Sequence, residues 1–297
     1  MNTNRPKTAL EPRYYEGIDF ANGVDRIGRC FLLDGEDSLT VAVDKPSQGV
    51  CVKAAIDCPL GTTIGFAKLL GGELPPEHTG GFKSRTTEQW LRDQVAAYQT
   101  TILWKNKNNR KKKTEREPRY KGVAYFNPTG HVQPTVEMCI VPECLWWLGR
   151  RLAPEGEPKD RLNAFIAARK GDGPVVEAHP RMFLYSLVER VYRTCPTEVN
   201  LEMLFAVVQY KNEPGLRKSL YGLIREQSTW MGKHRRNIQP VEMPDCLANS
   251  DHMFDAFLCA LTAWARQDGE CIDWQAARIP SASVEVEGHI LVLRQLP

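Results

Sequence analysis

The sequence lacks several features that would place it in large protein classes. Nowhere do about 18 apolar residues follow one another, as a membrane-spanning helix requires, so we expect no membrane span. The polar residues 1–13 contain no apolar core of the kind found in secretory signals, so we expect a flexible leader in a cytoplasmic protein. Internal repeats are also missing, which excludes solenoid and propeller architectures.

Cysteine is not scarce, but it never occurs in the arrangement of a zinc knuckle. The nine cysteines are an odd number, and no two of them have the C-x2-C spacing of a structural zinc site. Several lie inside apolar runs of the sequence. We therefore interpret them as buried free thiols in a reducing compartment.

The net charge of +3 is too small to identify a partner by itself. Positive charge is concentrated in residues 105–121, where lysine and arginine dominate. Such a segment can follow a phosphate backbone and release its counter-ions, and it is also typical of a solvated surface loop. We retain Lys111, Lys112 and Lys113 as candidate contacts to DNA or RNA.

Five short runs predict the strands of a sheet. The first three are rich in aromatic and β-branched residues and are separated by Gly and Asp clusters, which is typical of a meander. The fourth is almost continuously apolar, as expected for a central strand buried on both faces. The fifth precedes a helix that Pro180 opens. The runs are residues 15–21, 29–33, 39–44, 49–57 and 174–178.

The clearest helix is predicted over residues 250–266, where apolar residues recur at helical spacing behind Ser250, a suitable N-cap. Weaker patterns predict helices over 87–98 and 161–169 and a hairpin over 283–293. Strands that combine with helices in this way indicate an α/β protein. We expect a single domain over 14–297, with an inserted helical and basic-loop region at about 72–170.

Several acidic residues lie at positions that the predicted strands and helices would bury, where an ionised carboxylate is unfavourable. Asp19 and Asp57 end two of the strands, and Glu177 lies on a third; a buried carboxylate there needs a cation or hydrogen bonds. Asp251 and Asp255 share one face of the last long helix because they are four residues apart. An all-oxygen cluster of this kind suits Mg²⁺ or Mn²⁺, and two such ions can promote phosphodiester hydrolysis.

Each acid also has an ordinary explanation. Asp19 and Asp57 are compatible with turn or capping residues, and negative charge near a helix start explains Glu177 and Asp251. Asp255 is harder to explain in this way, because it lies one turn into the helix among apolar neighbours. His252 is compatible with a surface histidine, a metal ligand or a proton shuttle.

Six segments, four of which contain these residues, together resemble a little-characterised family of predicted nucleases with an RNase H-like fold. The segments occur in the family's order over almost the whole chain. The H-x-x-D-A pattern at residues 252–256 is also similar to the final helix of RuvC-type Holliday-junction resolvases. The six segments are GIDF (17–20), AIDCPLG (55–61), SRTTE (84–88), VVEAHP (175–180), SDHMFDA (250–256) and EGHI (287–290).

The resemblance implies a three-layer α/β/α domain around a mixed five-stranded sheet, with a C-terminal hairpin. It implies metal-binding acids on the first strand (Asp19), the fourth strand (Asp57) and the last helix (Asp255), with Asp251 or Glu177 as an auxiliary acid. The implied activity is hydrolysis of DNA or RNA with two Mg²⁺ or Mn²⁺ ions. The long basic middle segment departs from the family's pattern.

Other interpretations remain open. Arg85 and Arg92 are candidate phosphate ligands, although pairing with Glu88 or Asp93 explains them equally well. The chain is also compatible with an inactive RNase H-like module that binds nucleic acid or protein. An actin-like or sugar-kinase-like enzyme that uses ATP shares the core fold, but the sequence has no G-x-x-x-x-G-K-[ST] loop. Nothing in the sequence indicates an oligomeric state.

Overall fold

The computed structural model describes the parts of the chain that carry the sheet and its helices. Residues 1–10 of the predicted leader, most of the inserted region, and Arg85, Arg92, Lys111, Lys112 and Lys113 lie outside those parts, whereas the last leader residue, Arg13, begins a strand. The described residues are 11–20, 27–57, 156, 157, 159, 160, 163, 173–194, 203, 206, 207, 209–226, 231, 235–267, 271, 272 and 291–293.

A mixed sheet lies at the centre. Strands β1 (Arg13–Phe20), β2 (Ile27–Asp34) and β3 (Ser38–Ala42) form the predicted antiparallel meander. Strand β4 (Val50–Asp57) runs parallel to β1 on its other side, and β5 (Val175–Glu177) runs parallel to β4. All five predicted strands are therefore present in one α/β arrangement.

The prediction of five strands was wrong by one, because the sheet has six strands among the described residues. The additional strand β6 (Asn237–Gln239) pairs parallel with β3, and the order across the sheet is β5-β4-β1-β2-β3-β6. A strand of three residues is too short to show an alternating pattern. Separately, β7 (Cys271–Ile272) pairs with β8 (Val292–Leu293), while the first strand of the predicted C-terminal hairpin lies outside the described residues.

Four helices are bounded among the described residues: α1 (Pro180–Thr194), α2 (Pro214–Glu226), α3 (Asp245–Asn249) and α4 (Asp251–Gln267). Helices α1 and α4 were predicted. The N-cap prediction is confirmed, because the Ser250 hydroxyl oxygen accepts a 3.2 Å hydrogen bond from the amide of Met253.

Helix α4 lies directly on β1 and β2 because glycines remove the side chains between them. A Cβ on Gly17 would overlap the carbonyl oxygen of Ala256 and the amide nitrogen of Ala260. A Cβ on Gly28 would overlap the carbonyl oxygen of His252. This close approach places the first turns of α4 beside the end of β1.

The buried side of α4 supplies much of the core. Its aromatic residues Phe254, Phe257 and Trp264 are at most 1% exposed, and burial of such a side chain stabilises the fold by about 1.5–3 kcal/mol. Cys30, Cys51, Cys246 and Cys259 are free thiols, as expected, although Cys51 and Cys246 are partly rather than fully buried. Within the ranges given above, no helix combines the length and the apolar character needed to cross a membrane.

Candidate metal centre

Asp19 and Asp57 are partners in the register of two neighbouring parallel strands. Side chains alternate between the faces of a strand, so Asp19 lies on the same face as Gly17, the face that α4 covers. Asp19 is buried and Asp57 is partly buried. The paired strand ends therefore place two carboxylates side by side, next to the first turns of α4.

Helix α4 contributes the third predicted acid, Asp255, which is fully buried. Its Oδ1 accepts a 2.5 Å hydrogen bond from the Tyr210 hydroxyl, and its Oδ2 forms a 2.5 Å ion pair with Lys211 Nζ. A buried carboxylate requires such partners, because an uncompensated charge in the interior is costly. Two residues that the sequence did not indicate therefore hold Asp255.

The charges of the three acids act on one another. Burial, followed by the charges of Asp57 and Asp255, raises the pKa of Asp19 to about 9. Burial also raises the pKa of Asp57 to about 7, with Asp255 adding to the shift and Lys211 opposing it. Crowded carboxylates disfavour the ionised state of one another, and a cation favours it. The structure thus brings the three acids into one electrostatic group.

The first turn of α4 adds two further predicted residues to this group. His252 Nδ1 lies 2.7 Å from Asp19 Oδ2, and the His252 side chain is 36% exposed. The charge of Asp251 contributes to the raised pKa of Asp19, after burial, Asp57 and Asp255. His252 therefore connects the acidic group to solvent.

Lys211 supplies positive charge to the whole group. Burial by itself lowers the pKa of Lys211, but the carboxylates of Asp255 and Asp57 outweigh that effect and raise it above its ordinary value. The lysine therefore stays protonated. Burial and the neighbouring Asp255 also raise the pKa of Tyr210, so its hydroxyl remains a donor.

A buried arginine holds Tyr210 and Lys211 in place. Arg217 Nη1 donates to the carbonyl oxygens of Tyr210 (2.6 Å) and Lys211 (3.0 Å), and Arg217 Nε donates to that of Ala248 (2.8 Å). Arg217 belongs to α2, and Ala248 lies in α3, just before α4. One guanidinium thus connects three segments around the acidic group.

Not every predicted acid joins the group. Glu177 is buried, but it shares a register row with Ile56 and Ile18, one residue before the row of Asp57 and Asp19. Because successive side chains alternate, Glu177 faces the opposite side of the sheet. The structure brings Asp19, Asp57, Asp251, His252 and Asp255 together and does not bring Glu177 to them.

Sequence patterns missed four residues of the site. Tyr210 and Lys211 precede α2, Arg217 lies within it, and Arg181 lies in the first turn of α1. The positive charge of Arg181 favours the ionised form of Asp57, and its guanidinium carbon lies 6.0 Å from the centre of the Tyr210 ring. Only Pro214, a favoured residue at a helix start, signals this region in the sequence.

The donor chemistry of the group fits a hard cation. Asp19, Asp57 and Asp255 offer carboxylate oxygens, the ligands that Mg²⁺ and Mn²⁺ prefer. In their present positions, the described side chains include no group of three or more His, Cys, Asp or Glu residues that could hold a metal ion. The ammonium of Lys211 forms an ion pair with Asp255.

The chain matches no protein-family model, no curated protein and no solved structure. Its function is therefore inferred from the residues of this site. Their common property is a concentration of carboxyl groups where the ends of β1 and β4 meet the start of α4, with Lys211 against Asp255 and His252 against Asp19.

Proposed function

We propose that the chain is a nuclease with an RNase H-like fold that hydrolyses the phosphodiester bonds of DNA or RNA with the help of Mg²⁺ or Mn²⁺. The observation that carries this proposal is the register pairing of Asp19 with Asp57 and their electrostatic coupling to Asp255. Carboxylates from two strand ends and one helix can bind the divalent cations that promote hydrolysis of a phosphodiester.

The sheet supports the assignment to an RNase H-like fold. An antiparallel meander is extended by two parallel strands on the side of β1, and the first and fourth strands lie next to each other at the centre. The resemblance of the six sequence segments implied acids on these two strands and on the last helix. The arrangement of the strands agrees with that expectation.

In this proposal, Asp19, Asp57 and Asp255 would hold the metal, which supplies an activated water and neutralises charge on the phosphate. The ends of β1 and β4 orient Asp19 and Asp57, and the packing of α4 against the sheet buries Asp255 away from water. His252 is placed to move a proton between Asp19 and solvent. Lys111, Lys112 and Lys113 remain candidate contacts to the nucleic-acid backbone. Asp251, whose charge acts on Asp19, is the candidate auxiliary acid on the face of the sheet that carries the site.

A second function is favoured by the state of Asp255. Lys211 and Tyr210 together engage both oxygens of this carboxylate. If that arrangement persists when a divalent cation is offered, the chain is an RNase H-like module that binds nucleic acid without cutting it. The two functions differ in whether cleavage occurs.

The test offers labelled single-stranded, duplex and branched DNA and RNA to the purified protein with Mg²⁺, Mn²⁺ or EDTA. The proteins compared are the wild type, Asp19→Asn, Asp255→Asn and a control, Asp44→Asn, which removes an exposed carboxylate from the β3–β4 connection. We expect metal-dependent cutting that falls by roughly a hundredfold or more in the site variants, because even outer partners of a metal change activity by about 10–100-fold. The control should cut like the wild type.

Two results would contradict the proposal. Cutting that persists unchanged in Asp19→Asn and Asp255→Asn would remove these residues from the site. Nucleic-acid binding without cutting in either metal would favour the non-enzymatic function. The control has a separate purpose. If Asp44→Asn also loses cutting, the loss in the site variants is not specific to Asp19 and Asp255.

A further inference from the structure

Lys211 occupies an unusual position for a lysine side chain. Its Nζ lies 2.5 Å from Oδ2 of Asp255, a residue with no exposed surface, while the Lys211 side chain itself is 36% exposed. A lysine can keep its apolar stem along the protein surface and direct its ammonium elsewhere. Here the ammonium reaches inward from a side chain that remains in contact with solvent.

The backbone that carries Lys211 is fixed. Arg217, which is 3% exposed, binds the carbonyl oxygens of Tyr210 and Lys211 and also that of Ala248, close to the start of α4. The starting point of the lysine side chain is therefore held relative to the helix that carries Asp255. The four-carbon stem of lysine is flexible, in contrast to a planar guanidinium.

We propose that Lys211 is a built-in counter-ion, which holds Asp255 in the metal-free protein and is displaced from it when a divalent cation binds. The proposal depends on the proposed function, because it assumes that Asp19, Asp57 and Asp255 are the metal ligands. Lys211 then competes with the metal ion for Asp255 and lowers the affinity of the site for divalent cations.

The physical reason is that two cations compete for one carboxylate oxygen. Mg²⁺ binds oxygen ligands at about 2.0–2.1 Å, so an ion on Asp255 Oδ2 takes the space that the ammonium fills. The like charges also repel each other at such a separation. The partly exposed side chain gives the ammonium a route back to solvent.

Isothermal titration with Mn²⁺ tests the proposal without measuring cleavage. The proteins compared are the wild type, Lys211→Met, Lys211→Arg and a matched control, Lys218→Met, which removes an exposed lysine of α2. We expect Lys211→Met to lower the Kd for Mn²⁺ by about tenfold or more, which corresponds to about 1.4 kcal/mol. Lys211→Arg keeps the charge and should bind like the wild type, as should Lys218→Met.

A second measurement uses only the wild-type protein, in case Lys211→Met does not fold. Acetic anhydride labels lysine amines, and mass spectrometry of peptides quantifies the labelling at each lysine. In EDTA the ion pair with Asp255 should protect Lys211, and saturation with Mn²⁺ should increase its labelling several-fold. Lys218 is the internal control, whose labelling should be the same in both conditions.

The outcomes separate this proposal from the proposed function. If neither the wild type nor Lys211→Met binds Mn²⁺ at millimolar concentration, the metal site itself is wrong, and both proposals fail. If the wild type and Lys211→Met bind equally, or Lys211→Met binds more weakly, the metal site stands and the counter-ion role is overturned. Labelling of Lys211 that does not respond to bound Mn²⁺ would also overturn that role.

Discussion

Asp19 and Asp57 are register partners on adjacent parallel strands, so their carboxylates leave the sheet side by side at the ends of β1 and β4. Burial and neighbouring carboxylates raise the pKa of both groups, to about 9 for Asp19, where Asp57 and Asp255 contribute, and to about 7 for Asp57, where Asp255 contributes. Ionisation of these two carboxyl groups therefore costs stability. Functional sites often contain such costly arrangements, because charge is concentrated there for a ligand.

Asp19→Asn should stabilise the metal-free protein by about 0.5–2 kcal/mol at alkaline pH, in the range typical of stabilising single substitutions. Asp19 titrates near its ordinary pKa of 3.8 in the unfolded chain and near 9 in the fold. Between these values the folded state binds more protons than the unfolded state, so stability falls as the pH rises. Asparagine removes this contribution. Urea unfolding in EDTA should show a difference between variant and wild type that is near zero at pH 4 and largest at pH 9.

Asp44→Asn is the control for this effect, since Asp44 is exposed. Its difference from the wild type should change little over the same range of pH. A stabilisation by Asp19→Asn that is as large at pH 4 as at pH 9 would contradict the raised pKa of Asp19.

Gly17→Ala should destabilise the protein by about 3 kcal/mol or more, because its methyl group would overlap backbone atoms of Ala256 and Ala260 and push α4 away from β1. Gly222→Ala is the matched control. A Cβ on Gly222, within α2, would meet nothing within 4 Å, and alanine favours a helix over glycine by about 0.8–1.0 kcal/mol. Guanidinium unfolding should therefore shift in opposite directions for the two variants. Equal stability of Gly17→Ala and wild type would contradict the close packing of α4 on β1.

Arg217→Met should cost about 3 kcal/mol or more, since three buried or partly buried carbonyl groups lose their donor and each such loss costs about 1–3 kcal/mol. Arg225→Met, on the same helix, breaks an ion pair with the exposed Glu226 and should cost less than about 1 kcal/mol. Thermal unfolding followed by circular dichroism measures both variants. Similar losses for the two arginines would show that Arg217 does not connect its three segments in solution.

Tyr210→Phe should cost about 1.5–3 kcal/mol, the range for a hydrogen bond to a charged group, because Asp255 loses a 2.5 Å donor while the ring and its packing remain. Tyr221→Phe is the comparison. Its hydroxyl donates to the neutral carbonyl oxygen of Pro240 at 2.7 Å, so its loss should cost about 0.5–1.5 kcal/mol. Urea unfolding at neutral pH in EDTA should rank Tyr210→Phe as the less stable variant; the reverse order would contradict the hydrogen bond from Tyr210 to Asp255 as the stronger of the two.

Local patterns account for the parts of the fold that were predicted correctly. Strands β1 to β4 show apolar and β-branched runs bounded by turn residues, and α4 shows helical spacing behind Ser250. Strand β6, helix α2 and helix α3 were missed. Two of these elements have five residues or fewer, too few to show a period, and α2 includes the buried Arg217 among its apolar positions.

The acidic residues also show which features local sequence reveals and which depend on tertiary contacts. Asp19, Asp57 and Asp255 were identified because each stands where a carboxylate is expensive to bury. Glu177 had the same local character, but the register of β5 against β4 sends it to the other face of the sheet. Lys211 has no pattern that marks it, because its importance comes from a contact with Asp255, which is distant in sequence.

The sequence by itself determined where strands β1 to β5 and helices α1 and α4 form and which of them carry acids, because hydrophobic period, turn residues and capping act over a few neighbouring positions. Only the tertiary structure decided that Asp19 pairs with Asp57, that α4 lies against Gly17, and that Lys211 compensates Asp255. These relationships join residues far apart in the chain. They arise from strand register, close packing and the need of a buried charge for a partner, which no local pattern encodes.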